Sequence, residues 1–248
     1  MQIDVALRAQ DIEPDLVRDS WAVVIDVLRA TTTITQALEA GCRAIVPALE
    51  PEEARALAAA WVRDGRVPLL GGERGCRPIP GFDLGNSPQA YAPERVGGRL
   101  VFFTTTNGTR ALRRCRASHV TLCACLRNAG GVVDYLLERR PARVLLACSG
   151  REGAVAPEDM AVAGLLATRL AARGGELLPR AREAADLATS LTDWHSFFTE
   201  VPAGRNLLEL GYHQDVSFCL ERDCSPVVPR YVGGVVTRAR WPGVRGRS

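Results

Sequence analysis

Residues 23–41 read "VVIDVLRATTTITQALEAG", and this stretch decides the fold class. Val23, Val24 and Ile25 are β-branched and consecutive, the pattern of a buried strand, and residues 22–28 read as one. A helix follows from about Thr32 to Glu39, and Gly41 stops it. A strand that runs straight into a helix is half of a βα unit, and the unit recurs along the chain. "AIVPA" (44–48) is a strand before a helix over 51–65, with Pro first, acids in the first turn and Gly last. Strands are expected over 67–73, 99–105, 119–125 and 143–150, with helices over 108–115, 128–140 and 157–173. Residues 179–211 read as mostly helical, and 213–237 as one or two strands. The Gly/Pro-rich stretch 74–90 reads as a long loop, a class that is often functional. Alternating strands and helices predict an α/β protein. Its expected form is a three-layer α/β/α sandwich around a mostly parallel, mixed sheet. Nothing marks a linker, so 1–240 reads as one domain and 241–248 as a basic, disordered tail.

Composition narrows the function. All 31 basic residues are arginine, and there is no lysine. Schiff-base chemistry, a P-loop lysine and a lysine general base are therefore excluded. A net charge of +3 gives no general polyanion-binding character. The eight cysteines form no C-x-x-C pair, so a zinc ribbon or thioredoxin motif is unsupported. The N-terminal stretch has no hydrophobic leader, and no apolar run reaches membrane-span length. The expectation is a cytoplasmic protein with reduced thiols and neither a nucleic-acid nor a membrane partner, with a homo-oligomer left open.

Three strand ends carry unusual chemistry. The first holds Asp26, Arg29, Thr31, Thr32 and Thr33. The second holds Thr104, Thr105, Thr106, Asn107, Gly108, Thr109 and Arg110. The third runs from Cys148 to Gly153 and leads to Glu158 and Asp159. In open parallel sheets, ligands bind beyond the carboxyl ends of the strands. The first two segments place hydroxyls and small residues where a strand becomes a helix, a geometry that attracts anions. Thr and Asn are also ordinary helix caps, which would explain one such segment. Two segments, each with an arginine, favour an anion site. Glu158 and Asp159 suit the first turn of a helix in any case. Asp26, at the end of an apolar strand, needs a partner or a metal. A hard cation such as Mg2+ takes one or two carboxylates and shares phosphate oxygens. Asp26 with Glu158 or Asp159 would make such a site.

Other phosphatase chemistries fail on single positions. A C-x5-R loop from Cys148 would need Arg at 154, where Ala stands. A D-x-D-x-T motif from Asp26 would need Asp at 28, where Leu stands. His119, His195 and His213 lie in no metal-ligand motif, and no Walker or G-x-G-x-x-G loop appears.

Five blocks resemble the 2-phosphosulfolactate phosphatase family, which is associated with coenzyme M biosynthesis. They are "VVIDVLRATTTITQALEAG" (23–41), "GGERGCRPIPGFDLGNSP" (71–88), "TTTNGTRAL" (104–112), "CSGREGAVAPEDMAVAGLL" (148–166) and "LGYHQDVSFC" (210–219). The resemblance implies a Mg2+-dependent phosphomonoesterase that hydrolyses (2R)-2-phospho-3-sulfolactate, or a related 2-phospho-hydroxy acid, to 3-sulfolactate and phosphate. The metal would sit on Asp26 with Glu158 or Asp159. Arg29, Thr31–Thr33 and the Asn107–Gly108–Thr109 turn would donate to the phosphate, and Asp159 would orient water. Direct water attack and a phospho-enzyme at Asp26 both stay open. The resemblance makes Glu73, Arg74, Asp83, Asn86 and Ser87 candidate substrate contacts, and Arg74, Arg110 and Arg151 candidate partners of the other substrate anions. The chain departs from the family pattern at 200–205, where Glu-Val-Pro-Ala-Gly-Arg replaces a segment resembling Ser-x-His-Gly-Arg. That departure is the one support for a rival reading, a non-catalytic module that binds an anionic metabolite.

Overall fold

The computed structural model describes residues 1–62 and 67–240. The strands are β1 (Gln2–Ala6), β2 (Trp21–Ile25), β3 (Ala44–Ala48), β4 (Leu69–Arg74), β5 (Arg77–Pro78), β6 (Leu100–Thr104), β7 (Val120–Ala124), β8 (Arg143–Cys148), β9 (Glu176–Leu177), β10 (Pro229–Val232) and β11 (Val235–Arg238). The helices are α1 (Pro14–Arg18), α2 (Ala30–Glu39), α3 (Pro51–Trp61), α4 (Pro93–Val96), α5 (Gly108–Arg114), α6 (Ala129–Arg139), α7 (Pro157–Ala171), α8 (Pro179–Ser190), α9 (Trp194–Glu200), α10 (Pro202–Glu209) and α11 (His213–Leu220).

These strands join in one sheet of order β5-β4-β6-β3-β11-β10-β7-β2-β8-β1-β9. The chain is an α/β protein with a mostly parallel, mixed sheet, as its alternation of elements predicts. One parallel block contains β7, β2, β8, β1 and β9; the other contains β4, β6 and β3. The β10–β11 hairpin lies between them and pairs antiparallel with both.

Period-2 alternation sends successive strand residues to opposite faces. Ala22 and Val24 join Ile34, Leu38 and Leu112 on one face, where α2 and α5 pack. Val23 and Ile25 join Leu136, Leu166 and Leu170 on the other, with α6 and α7. Each buried aliphatic side chain of this kind contributes about 1.5–3 kcal/mol.

Three expectations need correction. Residues 213–220 form α11, not a strand. Its buried residues Asp215, Val216 and Cys219 follow helical spacing, although Val and Phe favour extended structure by type. The loop 74–90 is partly regular: β5 folds back on β4, and a 3-10 turn covers Pro88–Ala90. The N-terminal residues Gln2–Ala6, unassigned by pattern, form β1 beside β8. The expected end of the 51–65 helix and the expected tail 241–248 lie outside the described residues. Among the described residues, no helix is long and apolar enough to cross a membrane.

Candidate active site

A pocket opens at the carboxyl ends of β2, β4, β6 and β8. It is lined by Asp26 and Arg29 after β2, Glu73 and Cys76 at the end of β4, and Thr106 and Asn107 after β6. Ser149, Arg151 and Glu152 follow β8; Glu158 and Asp159 open α7; Ala203 and Asn206 come from α10, and Asn86 from the loop. Strands of both parallel blocks contribute. Along the sheet, three successive antiparallel pairings reverse the strand sense between the blocks. Residues after strands of both blocks nevertheless line one pocket.

Asp26 is the centre of this arrangement. The first N–H of α2, from Ala30, donates to its Oδ1 at 3.4 Å. The Gly108 N–H at the start of α5 and the Ser149 hydroxyl also favour its anion. A Cβ at Gly108 would lie 2.7 Å from Asp26 Oδ2, so only glycine lets the α5 backbone approach this closely. The two strand-to-helix turns predicted to hold an external anion thus converge on one of the protein's own carboxylates. Burial outweighs these donors, and repulsion from Glu73 adds to it, so the Asp26 carboxyl is pushed up to about 6.

Glu158 and Asp159 stand beside it. Burial first, and Asp26 next among the raising causes, push Glu158 up to about 7. Asp159 is also held well above the carboxylate range by burial and by both neighbouring acids. Its Oδ1 accepts from Val27 N at 2.9 Å and its Oδ2 from Ser149 Oγ at 2.9 Å. Glu158 Oε2 is buried with no hydrogen-bond partner among the described residues, and so are Asn86 Oδ1 and Thr106 Oγ1. Buried polar atoms without partners are uncommon in native proteins. Three of them in one pocket mark where a bound group belongs.

The structure redirects several expected phosphate donors. Thr31, Thr32 and Thr33 are fully buried. Their hydroxyls donate to the carbonyls of Asp26, Val27 and Asn86 at 2.9, 2.9 and 3.0 Å. Thr109 does the same to Thr105 at 2.9 Å. A hydroxyl has one proton, so these four cannot also donate to a ligand; they tighten the turns instead. Arg74 clamps the carbonyls of Leu49 and Glu73 and the hydroxyl of Thr104, outside the pocket lining. Arg110 is an exposed partner of Glu50 and also lies outside it. Asp83 accepts from Leu70 N, and Ser87 donates to Asp215. Arg29 reaches the pocket, but its guanidinium is ion-paired with Asp215 at 2.5 Å. Of the arginines named for the other substrate anions, Arg151 lines the pocket; its backbone pairs with Ala154, and its guanidinium makes no hydrogen bond or ion pair among the described residues.

Glu73 belongs to the acidic core more than the motif reading suggested. Its carboxylate accepts from Cys76 N at 2.7 Å and Thr106 N at 2.8 Å. "LLGGE" is an apolar strand that ends in an acid, the same signal as at Asp26. Thr106 was named with its strand end, but Cys76 and Asn206 carry no such signal, because the turn after β4 and the packing of α10 bring them to the pocket.

The pocket is lined by five acidic side chains, Asp26, Glu73, Glu152, Glu158 and Asp159, against the guanidiniums of Arg29 and Arg151. Among the described residues, no three or more His, Cys, Asp or Glu side chains close a ready-made metal cage. Mg2+ does not need one, since it keeps several waters and takes one or two carboxylates. The mutually repelling acids and the unpartnered Glu158 oxygen fit such a cation.

An acidic pocket at the strand ends of a mostly parallel sheet is the architecture of an α/β enzyme. The chain belongs to the 2-phosphosulpholactate phosphatase family, whose profile matches residues 6–234. It is 42% identical over 240 residues to a probable 2-phosphosulfolactate phosphatase of Synechococcus sp. (strain CC9605), an alignment covering 93% of this chain and 94% of the relative. A protein of the same description from a Synechocystis species is 36% identical, with 92% and 96% covered. Another, from Caldanaerobacter subterraneus, is 35% identical, with 88% and 90% covered.

Proposed function

We propose that this chain is a cation-dependent phosphomonoesterase that converts 2-phospho-3-sulfolactate to 3-sulfolactate and phosphate. Family membership supports the reaction class and the substrate. The observation that carries the cation is the cluster of mutually repelling acidic side chains in the pocket, one of them with an unpartnered oxygen. A substrate with phosphate, carboxylate and sulfonate groups would meet five acidic side chains there, against one guanidinium that, among the described residues, is in no ion pair. Such a complex needs added positive charge.

Asp26 and Glu158 are the residues that would hold the cation, here taken as Mg2+. Asp26 is the least buried of the three neighbouring acids, and Glu158 has an oxygen to spare. The bound ion would offset charge on the phosphoryl oxygens. Asp159 fixes the backbone at Val27 and the Ser149 hydroxyl, and thereby the position of Asp26. Thr106 Oγ1, Asn86 and Asn107 line the phosphate side of the pocket. Arg151 supplies a guanidinium to a non-reacting anion of the substrate.

The rival binding-module reading is not favoured, since the acids, the unpartnered polar atoms and the family all suit a phosphatase. Ala203, in the altered segment, lines the pocket and adds no polar group. Phosphate release from 2-phosphosulfolactate, with Mg2+ and then with EDTA, tests the proposal. Release that EDTA abolishes is the expected result. Release that EDTA leaves intact would remove the cation, and no release from a folded sample would remove the enzyme reading.

A further inference from the structure

Arg29 stands three residues after Asp26, is only 2% exposed and still lines the pocket. Its NH1 donates to Asp215 Oδ2 at 2.5 Å, and its NH2 to the Cys76 carbonyl at 3.0 Å. The Tyr212 ring lies 4.3 Å from the centre of the guanidinium. The other Asp215 oxygen accepts from Ser87 Oγ at 2.6 Å. Asn206 of α10 then reaches Cys76, with Nδ2 to Sγ at 3.1 Å. One buried charge pair therefore joins three chain segments: the β2–α2 turn, the 75–87 loop and the α10–α11 region. Each contributes a wall of the pocket, through Arg29, Cys76, Asn86 and Asn206.

We infer that the Arg29–Asp215 pair is a latch that positions the 75–87 loop and α10 over the substrate. Asp215, outside the pocket lining, is a positioning residue, and Arg29 serves it rather than binding the reacting phosphate directly. The geometry supports this division. A guanidinium that already forms a buried ion pair and a carbonyl hydrogen bond has its orientation set by the protein. A carboxylate with both oxygens bonded, to Arg29 and to Ser87, fixes two segments at once. An ion pair buried this deeply is weak evidence for stability alone, because desolvation offsets most of its attraction. The substrate-contact part of the inference rests on the phosphatase reading.

Cys76 offers a readout that does not need activity. It is half-buried, whereas the other described cysteines are buried apart from the exposed Cys224. In a Cys224→Ser background, Asp215→Asn and Ser87→Ala would be compared with the parent for N-ethylmaleimide labelling of Cys76, for KM and kcat, and for Tm. For Asp215→Asn the expected result is labelling faster by about tenfold and KM higher by about tenfold, with kcat changed less, the pattern of lost substrate positioning. Ser87→Ala should move both in the same direction by a smaller factor, and it decides the matter if Asp215→Asn does not fold. Parental labelling and KM in folded variants would overturn the latch. A large fall in kcat with unchanged KM and labelling would also overturn it, and would place Arg29 on the reacting group. If the parent releases no phosphate, the phosphatase reading fails, while the labelling comparison still decides whether the latch exists.

Discussion

A carboxylate at the end of an apolar strand is stable only if something compensates its lost hydration. At Asp26 the compensation is partial: two helix N-termini and the Ser149 hydroxyl favour the anion, yet its carboxyl remains raised to about 6. Asp26→Asn should therefore cut phosphate release by about 100-fold or more, the scale for loss of a placed acidic group. Its Tm should stay level or rise, because the amide carries no charge to desolvate; a clear fall in Tm would make Asp26 structural. The raised acids also predict a pH dependence. A carboxyl with a raised folded-state pKa binds protons more tightly when folded, so its contribution is full below the unfolded value and is lost as pH rises through the folded one. Without divalent cation, Tm should fall from about pH 4 to about pH 7, the window bounded by ordinary carboxyls and the raised Asp26 and Glu158. Asp26→Asn with Glu158→Gln should flatten this slope, and so should added Mg2+; thermal scans across that range with EDTA or Mg2+ would check it.

The acids are only as well placed as the elements that carry them. Glu158 and Asp159 open α7, and α7 packs on α8 through a seam of small residues. Gly164 lies so close to α8 that a Cβ there would sit 1.8 Å from the Ala184 carbonyl. Ala181, Ala184, Ala185 and Ala188 line the α8 side of the buried seam. Gly164→Ala should cost about 1–3 kcal/mol by overpacking and should also lower phosphate release, since the helix bearing the acids must shift. Urea unfolding and initial rates would measure both; parental values for both would mean that the seam yields freely. The pattern at α7 was legible from sequence because Pro157, the acids and the apolar positions all agree. At α11 residue type pointed to a strand while burial followed a helix, so Asp215 was hidden with it. The threonines were legible as turn residues, but where their protons go is a matter of which carbonyl lies nearest.

At the scale of the molecule, the β10–β11 hairpin joins the two parallel blocks and so unites the halves of the site. Val236, fully buried in β11, pairs with β3, while Tyr231 of β10 pairs with β7. Val236→Asp should destabilise the chain by about 3 kcal/mol or more, since it buries an unpaired charge. Hydrogen exchange should show protection lost in β3 and β7 together; loss confined to β11 would show that the blocks hold without the hairpin. The sequence by itself determined the α/β class, the strand ends that carry the acids, and the membership that the five blocks announced. Those properties are local, written in periodicity, turn chemistry and residue type. Only the tertiary structure decided that the hairpin enters mid-sheet, that Arg29 belongs to Asp215, and that Glu73 and Thr106 join Asp26 in one pocket. Contacts between residues tens to hundreds of positions apart depend on strand order and twist, which no local pattern records.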